Sequence, residues 1–312
     1  HIGNYLGAAK QFVDMQDQYD GYYFIADYHT LNTLPKPEDL RENTIKAVID
    51  YLAFGLDHEK STIFLQSDVP EVVELAFILS NTTPMGLLQR AHSYKDKIAK
   101  GELINLGLFY YPMLMAADIL IYDADVVPVG KDQKQHVEIA RDIAIKFNQL
   151  YGDDLLTVPE PLIKESSAIV PGTDGRKMSK SYGNTIEMFA NTKSLKKQVM
   201  GIVTDSTPLE DPKNPDTCNV FALYELFASE SDVEILRKKY LAGNFGYGYA
   251  KKELLDRILE YFNSARNRRD ELIKNMDFID EVLKKGAERA RNYASNKVKT
   301  IKSAVGLVGN IY

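Results

Sequence analysis

The stretch GYYFIAD (residues 21–27) is a short apolar run, rich in aromatic residues, that ends in a carboxylate. Such a run predicts a buried strand, and STIFLQS (residues 61–67) repeats the pattern further along the chain. Between the two runs, residues 37–57 carry apolar positions at helical spacing, with Pro37 and Glu38 placed as at a helix start. This order of elements predicts two parallel strands joined by a crossover helix.

A third strand candidate is ADVVPVG (residues 124–130), and helical spacing follows it over residues 131–152. The alternation predicts an α/β fold, a parallel sheet covered by helices, with ligands at the carboxyl ends of the strands. From about residue 194 strand-like runs stop and helical patterns dominate. We therefore predict an α/β domain over residues 1–190 and an α-helical C-terminal domain over residues 191–312, whose last helix is a candidate for packing back onto the first domain.

The composition is that of a globular protein, with 312 residues of which 45% are hydrophobic and 26% are charged. A single cysteine, Cys218, excludes an intrachain disulfide and a cysteine metal cluster, and it fits a reducing, cytoplasmic compartment. The longest apolar run, residues 106–122, is interrupted by Pro112 and Asp118. We interpret it as a buried helix rather than a membrane span, and we expect no membrane partner.

The net charge of −6 argues against wholesale nucleic-acid binding, but the charge is uneven. Residues 251–302 hold 14 Lys/Arg and 9 Asp/Glu, a balance of +5, which leaves −11 for the remainder. Any anionic partner is therefore expected to meet the C-terminal part, although a solvated helical face is the more common explanation of such a charge when it is taken alone.

The chain opens on HIGN (residues 1–4), a turn that enters an amphipathic helix. Free backbone N–H groups and the positive end of a helix dipole favour an anion, and a glycine permits its close approach. His1 and Asn4 would add side-chain donors. Four residues are weak evidence alone, and a terminal histidine is also typical of a purification-tag remnant.

The segment VPGTDGRKMSKSYGN (residues 170–184) is more specific. Its glycines bracket a loop that can move, and Arg176, Lys177 and Lys180 place three cations within five residues. Mobile cations suit a reaction in which negative charge develops on a leaving polyphosphate. An exposed basic turn would explain the charge but not the glycine bracketing or the paired Lys-Ser steps.

The two motifs together resemble the HIGH and KMSKS motifs of class I aminoacyl-tRNA synthetases. KMSKS is matched in full, and the first motif departs only at its last letter, where Asn4 replaces histidine. The resemblance implies a Rossmann-type sheet in the first domain and tRNA binding by the helical domain. It also implies that ATP, with Mg²⁺ at its triphosphate, reacts with an amino acid carboxylate to give an aminoacyl-adenylate.

The run around Tyr111 bears on which amino acid is bound. Pro112 is placed to begin a helix, on which Tyr111, Met115 and Asp118 would share one face. An indole N–H only donates, so a tryptophan pocket needs an acceptor such as Asp118 in apolar surroundings, whereas a tyrosine phenol also needs a donor, which Met115 cannot be. The alternative is a structural Asp118 paired with a nearby lysine or backbone N–H.

Three stretches resemble the tryptophanyl-tRNA synthetase family in the expected order: HIGNYLGAAKQF, YPMLMAADILIYDADVVPVGKDQKQHVEIARD and GRKMSKS. The tyrosyl relatives have a glutamine at the place of Met115 and a GSDQ-type turn where this chain has GKDQ. In the related family the first strand precedes the HIGH motif, so we expect that strand to lie before residue 1.

The resemblance implies a role for each matching residue. The catalytic lysines would be Lys97, Lys177 and Lys180. The ATP site would comprise His1, Gly3, Asn4, Gly130, Lys131, Asp132, Ile169, Lys177, Met178, Ser179, Lys180 and Ser181. Asp118 would bind the indole nitrogen, Met115 and Tyr111 would shape the pocket, Gln133 and Tyr111 would approach the ammonium group, and His29 would border the amino acid. No metal site of the protein itself is implied.

The partners implied are L-tryptophan, tRNA(Trp) and a second copy of the chain in a homodimer. The tRNA surface would include Arg266, Arg268, Arg269 and the segment 284–291. The alternatives are a tyrosyl-tRNA synthetase, a free-standing nucleotidyltransferase and a synthetase-like binding protein without catalysis. The intact Lys177, Lys180, Asp118 and Gln133 argue against the last of these.

Overall fold

The computed structural model describes residues 1–91, 94–95, 105–163 and 170–307, except for the side chain of Asp132. The chain divides into two compact units. The first unit comprises His1–Lys10 and Ser166–Glu271, and the second comprises Gln11–Glu165 and Leu272–Tyr312. Both units are discontinuous in sequence, whereas the predicted domains are continuous. The division into a catalytic and a tRNA-binding domain at residue 190 stays a prediction.

The strands lie in the second unit and pair in parallel. They are β1 Tyr22–Ile25, β2 Thr62–Leu65, β3 Val126–Pro128 and β4 Glu160–Leu162. β1 pairs with β2, with Tyr22 opposite Thr62, and β3 pairs with β4, with Val126 opposite Glu160. The predicted α/β fold with parallel strands is confirmed. β4 was not predicted, because three residues that include a proline give no recognisable strand pattern.

Helices surround these strands in the second unit. They are α3 Asp27–Thr30, α4 Pro37–Ala53, α5 Glu71–Ser80, α6 Met85–Gln89, α7 Leu106–Leu120, α8 Lys134–Tyr151 and α14 Met276–Ala304. The crossover from β1 to β2 runs through α4, as predicted. Pro37 stands in the first turn of α4 with Glu38 and Asp39, which favours the helix start sterically and electrostatically.

The described part of the first unit contains helices and irregular segments, among them the loop that carries KMSKS. Its helices are α1 Ile2–Asn4, α9 Thr192–Met200, α10 Asn219–Glu225, α11 Glu230–Ala242, α12 Tyr247–Tyr261 and α13 Asn263–Leu272, whose last residue belongs to the second unit. After α1 the chain continues through a π-helical turn, Tyr5–Ala9, into α2 Lys10–Met15, whose residues after Lys10 belong to the second unit. The helical patterns predicted after residue 194 are confirmed.

Helix α7 is buried, but it does not begin where the sequence suggested. The side chain of Asn105 caps it by accepting a hydrogen bond from the Leu108 N–H at 2.8 Å, and Pro112 lies inside the helix. The prediction that Pro112 begins the helix is therefore wrong. A proline inside a helix leaves one carbonyl without its usual donor, and here the cap and the burial of the helix outweigh that cost.

The last helix, α14, packs directly on β2. A β-carbon at Gly286 would overlap the carbonyl oxygen of Ile63, so the two backbones approach as closely as a glycine permits. Buried residues of α5, α7, α8 and α14 join β2 in one apolar core. This core supports the carboxyl ends of the strands.

A cavity of about 530 Å³ lies within the second unit. Tyr22, Tyr23 and Phe24 of β1 and Val126 and Val127 of β3 contribute to its lining. Among the described residues β1 and β3 do not pair with each other. The parallel sheet is therefore present as two pairs of strands.

Candidate active site

The HIGN turn forms the first turn of a helix in the first unit. The Nδ1 atom of His1 accepts a hydrogen bond from the Asn4 N–H at 3.3 Å, and the Ile2 N–H donates to the Ile186 carbonyl at 3.0 Å. These two backbone donors are occupied, so the free N–H groups expected of the turn do not include those of Ile2 and Asn4. An ATP contact of this turn would come from Gly3 and from the side chains of His1 and Asn4.

The HIGN turn and the KMSKS loop lie against each other in the first unit. A β-carbon built at Gly3 would lie 3.1 Å from ring atoms of His1 and 3.3 Å from the β-carbon of Met178. A side chain at Gly3 would require His1 and Met178 to shift by a few tenths of an ångström. The structure thus brings together two motifs that are far apart in sequence, while their contacts with ATP stay a prediction.

The KMSKS loop presents its lysines and buries its methionine. Pro171 and Lys177 form an antiparallel bridge, and the Gly172 N–H donates to the Arg176 carbonyl at 2.7 Å. Met178 is only 4% exposed. The motif residues Lys177, Lys180 and Ser181 are exposed. Lys180 and Ser181 stand in a 3₁₀ turn, Lys180–Tyr182. The buried Met178 anchors a loop whose cations face solvent.

A buried asparagine, Asn184, holds this loop in shape. Its Oδ1 accepts from the Ser179 N–H at 2.8 Å, and its Nδ2 donates to Asp174 Oδ1 at 2.7 Å and to the Lys177 carbonyl at 3.1 Å. The bond from Asn184 is the main reason that the pKa of Asp174 lies below its usual range. Asn184 was not predicted to have a role, although it is the last residue of the segment 170–184.

In the second unit, Asp118 is 3% exposed and its partners are a glutamine and a histidine. Gln66 Nε2 donates to both carboxylate oxygens, at 3.0 Å to Oδ1 and 2.8 Å to Oδ2. His29 Nε2 lies 2.9 Å from Oδ2. Burial raises the pKa of Asp118, while the bonds from His29 and Gln66 act in the opposite direction. Asp118 is thus a hydrogen-bonded acceptor in an apolar helix.

The carboxyl ends of β1 and β2 supply these partners. His29 follows β1 and Gln66 follows β2, and parallel strands bring their carboxyl ends to the same edge. Ser67 and Asp27 also bond across this edge. This cluster lies at the carboxyl ends of the strands, where we predicted a ligand site, and ligand binding there stays a prediction.

Met115 lies one turn and Tyr111 two turns before Asp118 on α7. The ring centre of Tyr111 is 6.1 Å from that of His29, in an edge-to-face arrangement. The hydroxyl of Tyr111 is 2.7 Å from His136 Nε2, a buried residue that the sequence did not single out. Met115 is half-buried and packs against the core. The structure therefore gathers His29, Tyr111 and Asp118 around one place, as the resemblance implied.

The turn after β3 holds the other predicted residues of this unit. Gly130 precedes a 3₁₀ turn, Lys131–Gln133, which leads into α8. Lys131 is exposed and Gln133 is half-buried. For Asp132 only the backbone is described. Lys97 and Ile169 lie outside the described residues.

The basic residues predicted to meet tRNA are partly engaged within the chain. Arg266 donates to the Met188 carbonyl, Arg269 stacks over the Phe189 ring at 4.9 Å, and Arg268 is exposed. On α14 three ion pairs join Lys285 to Glu281, Arg289 to Asp20 and Arg291 to Glu71. A polyanion would compete with these carboxylates for the same cations.

No group of three or more His, Cys, Asp or Glu residues in the described ranges could hold a metal ion. None of the helices described is both long enough and apolar enough to cross a membrane.

The chain is similar to proteins of one family along its whole length. The family described as tRNA synthetases class I (W and Y) matches residues 1–263. The tryptophan–tRNA ligase of Fusobacterium nucleatum is 66% identical over 312 residues, which cover 100% of this chain and 96% of that protein. The tryptophan–tRNA ligase of Rhodopirellula baltica is 50% identical, with 98% of this chain and 96% of that protein covered.

Solved structures agree with the sequence relatives. The tryptophanyl-tRNA synthetase of Campylobacter jejuni, complexed with ADP and tryptophan, superposes with a TM-score of 0.94 at 51% identity, covering 98% of this chain and 96% of that one. The Mycoplasma pneumoniae enzyme superposes with a TM-score of 0.80 at 27% identity, covering 99% and 94% of the two chains.

Proposed function

Because this chain belongs to the class I tRNA synthetases of the tryptophan and tyrosine group, we propose that it is a tryptophan–tRNA ligase. The observation that carries the choice of amino acid is Asp118, a buried acceptor on the same helix as Tyr111 and Met115. An indole N–H can only donate and fits an acceptor, whereas a phenol needs a donor that Met115 does not offer. Relatives that are 66% and 50% identical carry the name of this activity.

The reaction has two steps. A carboxylate oxygen of L-tryptophan attacks the α-phosphorus of ATP, the bond to the β,γ-phosphates breaks, and pyrophosphate leaves. A ribose hydroxyl at the 3′ end of tRNA(Trp) then attacks the carbonyl carbon of the tryptophanyl-adenylate, and AMP leaves. Both steps move negative charge onto a leaving phosphate, which cations held nearby stabilise.

The exposed ammonium groups of Lys177 and Lys180 are proposed to bind the triphosphate, together with Lys97. Gly3 and Asn4 in the adjacent turn, with His1, would hold the nucleotide. Mg²⁺ usually binds substrate phosphates and few protein ligands, so it would be held here chiefly by triphosphate oxygens. Its contribution would be to neutralise charge on the leaving pyrophosphate.

The tryptophan site is proposed to lie around Asp118, which would accept the indole N–H. His29 and Met115 would border the side chain, while Tyr111 and Gln133 would approach the ammonium group. The turn that begins at Gly130, with Lys131, Asp132 and Ile169, is assigned to ATP from the family resemblance.

We further propose a homodimer in the cytoplasm. Apolar side chains are exposed on neighbouring elements of the second unit: Val73 and Phe77 on α5, Met85 on α6 and Leu106 on α7. A patch of this kind is typical of a protein–protein interface. Sedimentation equilibrium of the wild type and of Phe77→Glu tests the proposed dimer. The wild type should be dimeric, and the glutamate carboxylate in the apolar patch should produce monomers. A monomeric wild type would reject the dimer.

ATP–pyrophosphate exchange with each of the twenty amino acids tests the proposed function. We expect tryptophan to drive exchange and tyrosine to be at or near background. Exchange driven by tyrosine alone would make the chain a tyrosyl enzyme. Absence of exchange with every amino acid would favour a binding protein without catalysis.

A further inference from the structure

Gln66 is a buried partner of Asp118 that is not among the residues proposed to touch tryptophan or ATP. It is 1% exposed and directly follows β2. Its amide oxygen accepts from the N–H groups of Tyr28, at 3.1 Å, and His29, at 3.4 Å. Its amide nitrogen donates to both oxygens of Asp118. Both the oxygen and the nitrogen of this amide therefore meet complementary partners.

The backbone after β1 fixes the orientation of this amide. Two N–H groups face the position of Oε1, so a flipped amide would set its NH₂ group against two donors and its oxygen against a carboxylate. Such a flip exchanges four attractive contacts for four repulsive ones. The NH₂ group of Gln66 is thus held towards Asp118 by the main chain rather than by a flexible side chain.

The contacts of Asp118 leave room for one more donor. An ionised carboxylate offers about four acceptor directions. Gln66 Nε2 lies within hydrogen-bond distance of both oxygens and His29 Nε2 of one, so these two residues take at most three of the four directions. The carboxylate is therefore clamped in position with one acceptor direction left over. A ligand with an N–H group gains a bond there, and a ligand of the same shape without one gains none.

We infer that Gln66 is a specificity-determining positioning residue, which clamps Asp118 so that the pocket discriminates ligands with an indole N–H from isosteric ligands without it. The inference rests on the proposed function. It concerns how Asp118 is held, whereas the proposed function concerns which amino acid is activated. The inference is tested by the ratio of kcat/KM for tryptophan to kcat/KM for an analogue without the indole N–H. The proposed function is tested by comparing pyrophosphate exchange between amino acids.

The experiment compares tryptophan with 3-benzothienylalanine, in which sulfur replaces the indole N–H. Pyrophosphate exchange gives kcat/KM for each substrate in the wild type and in Gln66→Leu. Hydrogen bonds to charged groups contribute about 1.5–3 kcal/mol, so we expect the variant to lose roughly tenfold or more of the preference for tryptophan. The loss should appear in KM for tryptophan, while KM for ATP stays within about twofold.

Gln11→Leu is the matched control, because Gln11 is also a buried glutamine of the described chain but makes no bond to Asp118. It should keep the wild-type preference. If Gln66→Leu lowers kcat/KM equally for both substrates, Gln66 is merely structural and the inference is overturned. If Gln66→Leu does not fold, Gln66→Glu is used in its place. The glutamate places a second carboxyl group against Asp118. If Gln66→Glu keeps the full preference for tryptophan, the inference is also overturned.

The two proposals fail in different ways. A wild type that activates tryptophan and prefers it to the sulfur analogue, together with a Gln66→Leu variant that keeps this preference, overturns only the role of Gln66. A wild type that activates another amino acid overturns the proposed function and, with it, the clamp for an indole.

Discussion

Asp118 is the side chain on which amino acid recognition depends in this account. Its carboxylate is buried, and removal of it would leave the NH₂ group of Gln66 and the ring of His29 without their acceptor. Asp118→Ala should therefore weaken tryptophan binding by roughly tenfold to a hundredfold, the value of a hydrogen bond to a charged group, with ATP affinity little changed. Isothermal titration with each ligand measures both. Equal losses for tryptophan and ATP would indicate a structural carboxylate.

Lys180 is assigned a role in the reaction step rather than in binding. Its side chain is exposed in the KMSKS loop, where it is available to a triphosphate. Lys180→Ala should slow adenylate formation by a factor equivalent to about 3 kcal/mol, the typical cost of losing one contact made in the transition state, and leave the Kd of tryptophan unchanged. Single-turnover kinetics measures the rate.

Lys193→Ala is the control for Lys180→Ala, since Lys193 is another exposed lysine of the first unit. It should leave the adenylation rate unaltered. A collapse of tryptophan affinity in Lys180→Ala with the rate preserved would show that the loop has a different role.

The strands and helices were predictable where their residues form a clear pattern. GYYFIAD and STIFLQS became β1 and β2 because aromatic and β-branched runs are stable when buried in a sheet. β4 was missed because its three residues, with Pro161 at the centre, carry no such signal. The start of α7 was misplaced because Pro112 is more conspicuous in sequence than the Asn105 cap.

The candidate site was predictable in part for a similar reason. Asp118 was conspicuous as a charge in an apolar run. Gln66, His136 and Asn184 were not, because their importance comes from partners that are remote in sequence or that depend on the shape of a loop. The position of Gln66 directly after a buried strand was the one signal that could have identified it.

The contact between α14 and β2 gives a test of the packing. A β-carbon at Gly286 meets the backbone of Ile63, which cannot move without distorting the strand. Gly286→Ala should lower the free energy of unfolding by about 1–3 kcal/mol, as overpacking usually does. Gly248→Ala is the control, because a β-carbon there meets no atom within 4 Å. Urea unfolding measures the free energy of unfolding of both variants. An unchanged value for Gly286→Ala would refute the close approach of the two backbones.

The stability of the whole protein should depend on pH through Asp118. Burial raises its pKa above the ordinary value of 3.8. At pH values between the ordinary pKa of the unfolded state and the raised pKa of the folded state, Asp118 binds its proton more tightly in the folded protein. The free energy of unfolding therefore falls as pH rises through this range. Asp118→Asn does not titrate at this position. The wild type should therefore lose stability relative to Asp118→Asn as pH rises above about 4, until the raised pKa is passed.

Urea unfolding of the wild type and Asp118→Asn at a series of pH values measures this difference. The comparison cancels the titration of the other carboxyl groups, which both proteins share. A wild type that gains stability relative to the variant over the same pH range would show that the surroundings of Asp118 lower its pKa instead of raising it.

The charge distribution of the whole chain bears on tRNA binding. Residues 251–302 carry a balance of +5 in a chain of net charge −6. Several of these cations pair with carboxylates in the structure, including Arg289 with Asp20 and Arg291 with Glu71. The attraction for tRNA therefore depends on cations that leave these pairs, as well as on exposed ones such as Arg268.

Aminoacylation of unfractionated tRNA, with each of the twenty amino acids labelled in turn, tests the account most directly because it requires both chemical steps and both substrates. We predict that tryptophan is attached, that its plateau equals the tRNA(Trp) content of the pool, and that tyrosine remains at background. Attachment of tyrosine in place of tryptophan, or formation of an adenylate that never transfers to tRNA, would contradict the account.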